Sequence, residues 1–167
     1  IEPYDFIAFS YQDAIWHIDK LLRATNTINN FQFDGYSSNV TAFWPNGQTH
    51  LLDKAQPQVV WDYLFEAAGP GCTYVLSKSL AQTLKSSMLA NWESVQAVSL
   101  HDWYCYAFAR SYGYRWYIDP VPSLDYRQHD NNQIGANKGL NSLIARYKTI
   151  HAGWWFGQVR IIASLVG

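Results

Sequence analysis

The amino-acid sequence contains few charged residues. Asp, Glu, Lys and Arg make up 15% of its 167 residues, the formal net charge is −1, and no run of Lys or Arg occurs. The electrostatic footprint of a nucleic-acid-binding protein is therefore missing, and we expect no nucleic-acid partner. Hydrophobic residues reach 49% and aromatic residues 17%, a composition that excludes an intrinsically disordered chain. The length predicts a single domain over residues 1–167.

Cysteine is scarce as well. Cys72 and Cys105 lie far apart and form no C-x-x-C pair, so the sequence signals neither a structural zinc site nor a disulfide framework. This usage suits a reducing, cytoplasmic compartment. The motifs G-x-S-x-G, G-x-x-x-x-G-K-S/T and G-x-G-x-x-G are also absent, so hydrolase-elbow, NTPase and dinucleotide-binding functions are unsupported. No apolar run reaches transmembrane length.

The first apolar segment ends close to a single carboxylate. Residues 6–9, with the sequence Phe-Ile-Ala-Phe, predict a short buried strand, and Asp13 follows shortly after it. A strand that delivers an acid at its C-terminal end commonly holds a metal or a phosphate in an α/β protein. Apolar residues at helical spacing predict a helix over residues 16–25. Capping of this helix is therefore the alternative role for Asp13.

Turn and cap signals divide the rest of the chain into short strands and helices. Asn46-Gly47 between apolar flanks predicts a hairpin. Ser77 is predicted to cap a helix that follows it, and Gly113 to end a helix that begins at His101. Further predicted elements are strands over residues 72–76 and 116–118, a polar loop over residues 125–139, and a helical C-terminus from residue 140 with a break near Gly153. Strands that alternate with helices predict an α/β fold.

Two polar clusters stand out in these apolar surroundings. His101-Asp102-Trp103-Tyr104 places an acid at the start of an aromatic-rich helix, and residues 125–132 are dense in hydrogen-bond donors and acceptors. Each cluster has a structural alternative. An acid in the first turn of a helix favours the helix dipole by about 0.3–1 kcal/mol, and a polar stretch between elements can be a solvated loop. The residues by themselves leave both interpretations open.

Four motifs occur in order along nearly the whole chain. They are Ser10-Tyr11-Gln12-Asp13-Ala14-Ile15-Trp16 with Asp19-Lys20-Leu21, then Gly71-Cys72-Thr73, His101-Asp102-Trp103, and Tyr126-Arg127-Gln128-His129 with Asn132 and Gly135. This series resembles the family-2 glycosyltransferases of the GT-A fold, especially the rhamnosyltransferase-like branch, whose first motif is of the type Ser-Asp-Gln-Asp-Asp-Ile-Trp. The resemblance implies an α/β fold with an incomplete GT-A-type mixed sheet, flanking helices and a helical C-terminus.

The resemblance also implies a reaction. It is the inverting transfer of a sugar, with rhamnose implied by that branch, from a nucleotide-diphosphate sugar to a hydroxyl of a growing cell-surface polysaccharide. Asp102 is the implied general base. The residues implied to bind substrates are His101, Trp103, Tyr104, Gly71, Cys72, Arg127, Gln128, His129 and Asn132. The implied cofactor is Mg²⁺ or Mn²⁺, with Asp13 and His129 as ligands.

The chain departs from the family at two points. Two usually acidic positions of the first motif are Tyr11 and Ala14 here. We expect a weakened metal site, because Mg²⁺ can take one or two carboxylates plus phosphate oxygens and waters. The family's nucleotide-binding units precede this motif, so we expect the chain to be the C-terminal part of such a catalytic domain. The strand at residues 6–9 is then expected to form an exposed edge, through which the chain self-associates or holds its N-terminal half.

Two other functions stand as alternatives. A chain with Tyr11 and Ala14 at acidic positions can be a non-catalytic fragment that binds glycan or a protein partner. A weaker alternative is a metal-dependent hydrolase that uses Asp13, Asp102 and His129.

The C-terminal segment raises the question of membrane contact. Trp154-Trp155 with Arg160 on an apolar helix suits a membrane interface. Because the family commonly works on lipid-linked acceptors, the resemblance implies a protein at the cytoplasmic face of the membrane. Packing of this helix on the core is the alternative.

Overall fold

The computed structural model describes residues 4–128 and 153–167. Its strands are β1 (Phe6–Ala8), β2 (Ala14–Trp16), β3 (Gly35–Ser38), β4 (Val40–Phe43), β5 (Thr49–Leu52), β6 (Val75–Ser77), β7 (Trp116–Asp119) and β8 (Leu124–Arg127). Its α-helices are α1 (Lys20–Phe31), α2 (Lys78–Ala90), α3 (Trp92–Val95), α4 (His101–Ser111) and α5 (Trp154–Val166). Short 3₁₀ turns cover Asp62–Leu64 and Gly71–Thr73. The predicted site residues His129 and Asn132, and the predicted helix start at residue 140, lie outside the described residues.

The strands form two four-stranded mixed sheets. The first has the order β1-β6-β3-β7 and the second the order β2-β8-β4-β5. Each contains one parallel pair, β3 with β7 and β4 with β8, and the other pairs are antiparallel. The predicted α/β class with mixed strand directions and flanking helices is confirmed, although the described strands form two sheets where one was predicted. Within the described part of the chain, β1 pairs on one side only, so it is an edge strand there, and self-association through it stays a prediction.

The two sheets are joined where neighbouring strands pass from one to the other. β3 continues through Asn39 into β4, and β7 continues through residues 120–123 into β8. The Asn39 backbone N–H donates to the Asp119 carbonyl at 2.9 Å, and its side-chain amide donates to the Pro120 carbonyl at 2.9 Å. These bonds satisfy buried polar groups at the junction, so they hold the two crossings side by side.

Strand β6 shows how the first sheet separates two apolar layers. Successive side chains of a strand point to opposite faces. Val75 packs in a cluster with Ala24 and Ile28 of α1, whereas Leu76 belongs to the main core with α2 and α4. The residues from Trp103 to Ala109 on α4 are all buried, as expected of a helix that is apolar on every side. Helix α4 is therefore the centre of the main core.

Several local signals predicted their elements. Strands β4 and β5 form the expected hairpin, with Gly47 at φ +82° in its turn. The Ser77 hydroxyl accepts the Leu80 N–H at 3.3 Å as the cap of α2. Gly113 follows α4 at φ +78°, a left-handed conformation that suits glycine.

The predicted helix over residues 16–25 is wrong at its start. Ala14, Ile15 and Trp16 form strand β2, which pairs antiparallel with Tyr126, Asp125 and Leu124. Ile15 is 52% exposed while its two neighbours are partly buried, which is the two-residue alternation of a strand. The helix begins only at Lys20 and continues through the polar residues 26–30. Lys20, Ala24 and Ile28, spaced four apart, form its buried face.

Two other elements also differ from the prediction. Residues 72 and 73 belong to the 3₁₀ turn Gly71–Thr73, and the strand begins only at Val75. The turn forms because Thr73 N–H donates to the Pro70 carbonyl and Tyr74 N–H to the Gly71 carbonyl, both at 2.9 Å. The predicted loop from residue 125 starts as strand β8, because parallel pairing with β4 satisfies its backbone groups.

The C-terminal helix packs on the core, as the alternative to membrane contact supposed. The Trp155 ring stacks on Trp103 and Phe65, with centroid separations of 6.4 and 5.7 Å. Trp154 and Phe156 on the same helix are exposed. Among the described residues, no helix has both the length and the apolar composition needed to cross a bilayer.

Candidate functional site

Three segments that are distant in the sequence meet where β1 ends. They are residues 9–13, the Gly71–Thr73 turn and the first turn of α4. The Tyr11 hydroxyl lies 2.5 Å from Nε2 of His101. The Gly71 N–H donates to Oδ2 of Asp102 at 3.2 Å. Three of the four predicted motifs therefore converge on one place.

Gly71 is required here because the segments approach so closely. A methyl group on its Cα would overlap the Tyr11 hydroxyl, and it would lie 3.0 Å from Nε2 of His101 and 3.1 Å from Cβ of Asp102. Any side chain at this position would push the segments apart. The absence of a side chain lets the Gly71 N–H reach the carboxylate.

Asp102 combines a local role with a long-range one. Its Oδ1 accepts its neighbour Trp103 N–H at 2.8 Å in the first turn of α4, as the structural alternative supposed. Its Oδ2 accepts from Gly71, which is 31 residues away. Two backbone donors thus fix the orientation of a partly exposed carboxylate, and the helix N-terminus favours its negative charge.

Tyr11 is a phenol that keeps its proton. Burial raises its pKa far above the ordinary value, and the negative charge of Asp102 raises this pKa further. A protonated phenol can donate to an imidazole nitrogen, and in that arrangement the imidazole proton of His101 is on Nδ1. His101 is exposed, so its ring is accessible to a ligand.

The two cysteines are poor nucleophiles. Burial, with a smaller contribution from the carboxylates of Asp102 and Asp13, raises the pKa of Cys72 to about 12, although the nearby Lys20 lowers it. Burial likewise raises the pKa of Cys105 to about 12. Because reactivity belongs to the thiolate, neither side chain supplies covalent chemistry. Cys72 was implied to bind substrate, but its side chain is buried and its carbonyl accepts the Lys20 Nζ at 2.9 Å.

Asp13 lies in the turn before β2, beside the end of β8. Its backbone carbonyl accepts the Arg127 N–H at 2.9 Å, so the first and last motifs lie next to each other. Asp13 precedes a strand, so the helix-capping role is excluded. Within residues 4–128 and 153–167, no three side chains of the metal-ligating types are grouped closely enough to hold a metal ion by themselves.

The remaining predicted residues divide between the surface and the core. Arg127 is exposed, and its guanidinium lies 5.7 Å from the centre of the Phe43 ring. Gln128 is buried, and its backbone N–H donates to the Phe43 carbonyl at 2.8 Å. Trp103 and Tyr104, implied to bind the acceptor, are both in the main core, where Trp103 Nε1 donates to the Tyr63 carbonyl at 2.9 Å.

Sequence reasoning missed two contributors to this site. Tyr11 was noted only as a departure from an acidic motif, although the structure makes it the partner of His101. Lys20 was noted only as part of a motif, although it is 0% exposed. Its spacing of four from Ala24 and of eight from Ile28 is the one local signal that places it on the buried face of α1.

Comparison with known proteins shows similarity to a curated protein but to no family model. No protein-family model matches the chain. The chain is 44% identical, over 164 residues, to the dTDP-rhamnosyl transferase RfbG of Shigella flexneri. The match covers 98% of the chain, which spans 57% of the length of that relative. Over nearly all of its own length, the chain is thus similar to a protein named as a rhamnosyl transferase.

Proposed function

We propose that the protein takes part in rhamnosyl transfer from a dTDP-linked donor to a hydroxyl of a glycan, as a glycosyltransferase with Asp102 as general base. The 44% identity to a dTDP-rhamnosyl transferase supports the reaction class. The Gly71 N–H bound to the Asp102 carboxylate carries the assignment of the base. This hydrogen bond holds the Asp102 carboxylate in a fixed orientation at the place where three of the predicted motifs converge.

The proposed transfer inverts the anomeric carbon. The acceptor oxygen attacks C1 of the sugar in line with the leaving group and forms the new C–O bond. The bond between C1 and the phosphate oxygen breaks, and its electron pair leaves with the dTDP. Asp102 takes the proton of the acceptor hydroxyl as the attack proceeds, a role typically worth about 10²–10⁴-fold in rate.

The donor diphosphate is proposed to lie between residues 11–13 and the end of β8. Arg127 is an exposed cation there, and guanidinium groups fit phosphate oxygens in a bidentate manner. With Tyr11 donating to Nε2, the Nδ1–H of His101 is a second donor for an anionic or hydroxylated ligand. Two contacts of residues 11–13 support this proposal, because Tyr11 contacts His101 and the Asp13 carbonyl accepts the Arg127 N–H.

A divalent cation fits this place only with help from the substrate. Asp13 is one carboxylate, and Mg²⁺ is commonly held by one or two carboxylates together with substrate phosphates and waters. When bound, Mg²⁺ or Mn²⁺ would offset the negative charge of the diphosphate. His129, the other ligand implied by the resemblance, lies outside the described residues.

The test is transfer by the complete gene product that carries this chain. It is incubated with dTDP-rhamnose, Mn²⁺ and a panel of glycan acceptors with and without a lipid anchor, and dTDP release is measured. We expect acceptor-dependent release, and a product whose anomeric configuration, read by NMR, is opposite to that of the donor. Tight glycan binding without any dTDP release would instead support the non-catalytic binding fragment.

A further inference from the structure

Lys20 is a buried cation at the first turn of α1. Its exposed fraction is 0%, which is rare for lysine. Its Nζ donates to the Cys72 carbonyl at 2.9 Å and lies 3.4 Å from the centre of the Trp16 ring. Among the ion pairs of the described residues, none involves this ammonium group. In the part of the chain that the structure describes, the buried charge is therefore held by a carbonyl and an aromatic face alone.

Burying the Lys20 ammonium group costs folding free energy, which indicates that the charge has a further role. A buried ammonium loses its hydration, and burial lowers the pKa of Lys20 to about 8. Leucine or methionine would fill the same space on α1 without that cost. The position of the contact indicates what the charge does, because the Cys72 carbonyl is the middle carbonyl of the Gly71–Thr73 turn.

The turn links Lys20 to the carboxylate of the proposed site. The Pro70 and Gly71 carbonyls accept bonds from within the turn, at 2.9 Å each. The Cys72 carbonyl instead accepts from Lys20, and the Gly71 N–H donates to Asp102. Lys20 therefore holds the Cys72 carbonyl, and the adjacent residue Gly71 donates its N–H to Asp102. A single peptide group lies between these two contacts along the chain.

We propose that Lys20 is a positioning residue for Asp102. Its ammonium anchors the turn through the Cys72 carbonyl, and the anchored turn presents the Gly71 N–H to Oδ2 of the carboxylate. The effect on turnover rests on the proposed function. The link from Lys20 through the turn to Asp102 does not, and it has a separate measurement.

Two substitutions separate the hydrogen bond from simple space filling. Lys20→Met keeps an unbranched apolar side chain and removes the donor. Lys20→Gln keeps an N–H donor on a side chain one bond shorter and removes the charge, so partial recovery is expected. Lys78→Met is the control, because Lys78 is an exposed lysine in the first turn of α2.

The first measurement is the backbone amide NMR spectrum of the chain, which requires no activity. We expect the Gly71 and Trp103 amide signals to shift in Lys20→Met, to return towards the wild-type positions in Lys20→Gln, and to stay unchanged in Lys78→Met. Unchanged Gly71 and Trp103 signals in Lys20→Met would overturn the proposal. Should Lys20→Met not fold, Lys20→Gln decides: signals at the wild-type positions support the proposal, and signals dispersed elsewhere overturn it.

The second measurement is steady-state transfer by the complete gene product. We expect Lys20→Met to lower kcat about tenfold while KM for the donor stays within about twofold, because misplacement of a catalytic group affects the chemical step. Lys20→Gln should recover kcat to within about threefold of wild type. An equal loss in both variants, or a loss confined to KM, would contradict the positioning role. If the wild-type protein shows no transfer, the proposed function fails and the amide spectrum still decides this inference.

Discussion

The Tyr11 hydroxyl lies 2.5 Å from Nε2 of His101, although the two residues are 90 positions apart. Tyr11 occupies a place where the resembling family usually has an acid, so a phenol–imidazole pair stands where a carboxylate is expected. A phenol–imidazole pair contributes directed hydrogen bonds in place of the negative charge of a carboxylate. This substitution changes how the site is expected to hold a diphosphate.

The tautomer of His101 should depend on Tyr11. With the phenol donating to Nε2, the ring proton is on Nδ1. In Tyr11→Phe this donor is lost, and we expect ¹⁵N chemical shifts of the imidazole to show a mixture of tautomers. Donor binding, measured by calorimetry in the complete gene product, should weaken roughly threefold to tenfold, the usual value of one hydrogen bond. The matched control is Tyr112→Phe, at an exposed tyrosine on the far end of α4. An unchanged His101 spectrum in Tyr11→Phe would show that the pair does not exist in solution.

Restored acids should strengthen metal binding. The double variant Tyr11→Asp with Ala14→Asp adds two carboxylates beside Asp13, and hard cations favour oxygen ligands. We expect a lower Mn²⁺ concentration at half-maximal donor binding than in the wild-type protein, measured by titration. If that concentration is unchanged, the metal is bound elsewhere or takes no part.

Gly71 should tolerate no side chain. Gly71→Ala forces the Tyr11, His101 and Asp102 side chains apart, and overpacking of this kind costs about 1–3 kcal/mol of unfolding free energy. The control is Gly157→Ala in the middle of α5, where an added methyl group meets no atom within 4 Å. That variant should gain about 0.5–1 kcal/mol from helix propensity. Urea denaturation compares the two, and a Gly71→Ala protein as stable as wild type would refute the close approach.

The stability contributed by Lys20 should depend on pH. Burial lowers its pKa from 10.5 to about 8, so between these values the unfolded chain binds more protons than the folded one. The Lys20 contribution to stability is therefore greatest above about pH 10.5 and is lost as pH falls to about 8. Because the Lys20 side chain is 0% exposed, this pKa difference corresponds to roughly 3 kcal/mol of unfolding free energy.

Comparing the wild-type protein with Lys20→Met isolates the contribution of Lys20 to the unfolding free energy. The neighbouring Cys72 thiol titrates in the opposite sense, because its pKa is raised to about 12 and stability is lost as pH rises above its unfolded value. Since Cys72 is present in both proteins, the difference in unfolding free energy between wild type and Lys20→Met should rise between pH 8 and pH 10.5. A difference that is constant over that interval would mean that Lys20 is not buried as a cation.

The sequence predicts those parts of the fold whose causes are local. The Asn46-Gly47 turn, the Ser77 cap and the Gly113 helix end depend on a few adjacent residues, so they are readable from the chain. Strand β2 is not readable in this way. Ala14–Trp16 is a strand because Leu124–Tyr126 pairs with it, and a partner more than a hundred residues away overrides a weak helical spacing.

The candidate site likewise contains residues that the sequence predicts and a residue that it does not. Asp102, His101 and Gly71 were found because motifs in order resemble a family, and the structure brings these three together. The burial of Lys20 could not be found, because lysine is ordinarily a surface residue. Only the packing of α1 against the turn and Trp16 removes its ammonium from water.

The most direct test of the account is the turnover of Asp102→Asn in the complete gene product. This variant removes the base and keeps one oxygen, which accepts from the Gly71 or the Trp103 N–H, whereas the carboxylate accepts from both through separate oxygens. The control is Glu93→Gln, an exposed acid in the first turn of α3, which should be unaffected. We expect kcat for dTDP-rhamnose transfer to fall at least about a hundredfold in Asp102→Asn with donor binding nearly unchanged. A kcat within about threefold of wild type would contradict the assignment of Asp102 as the general base.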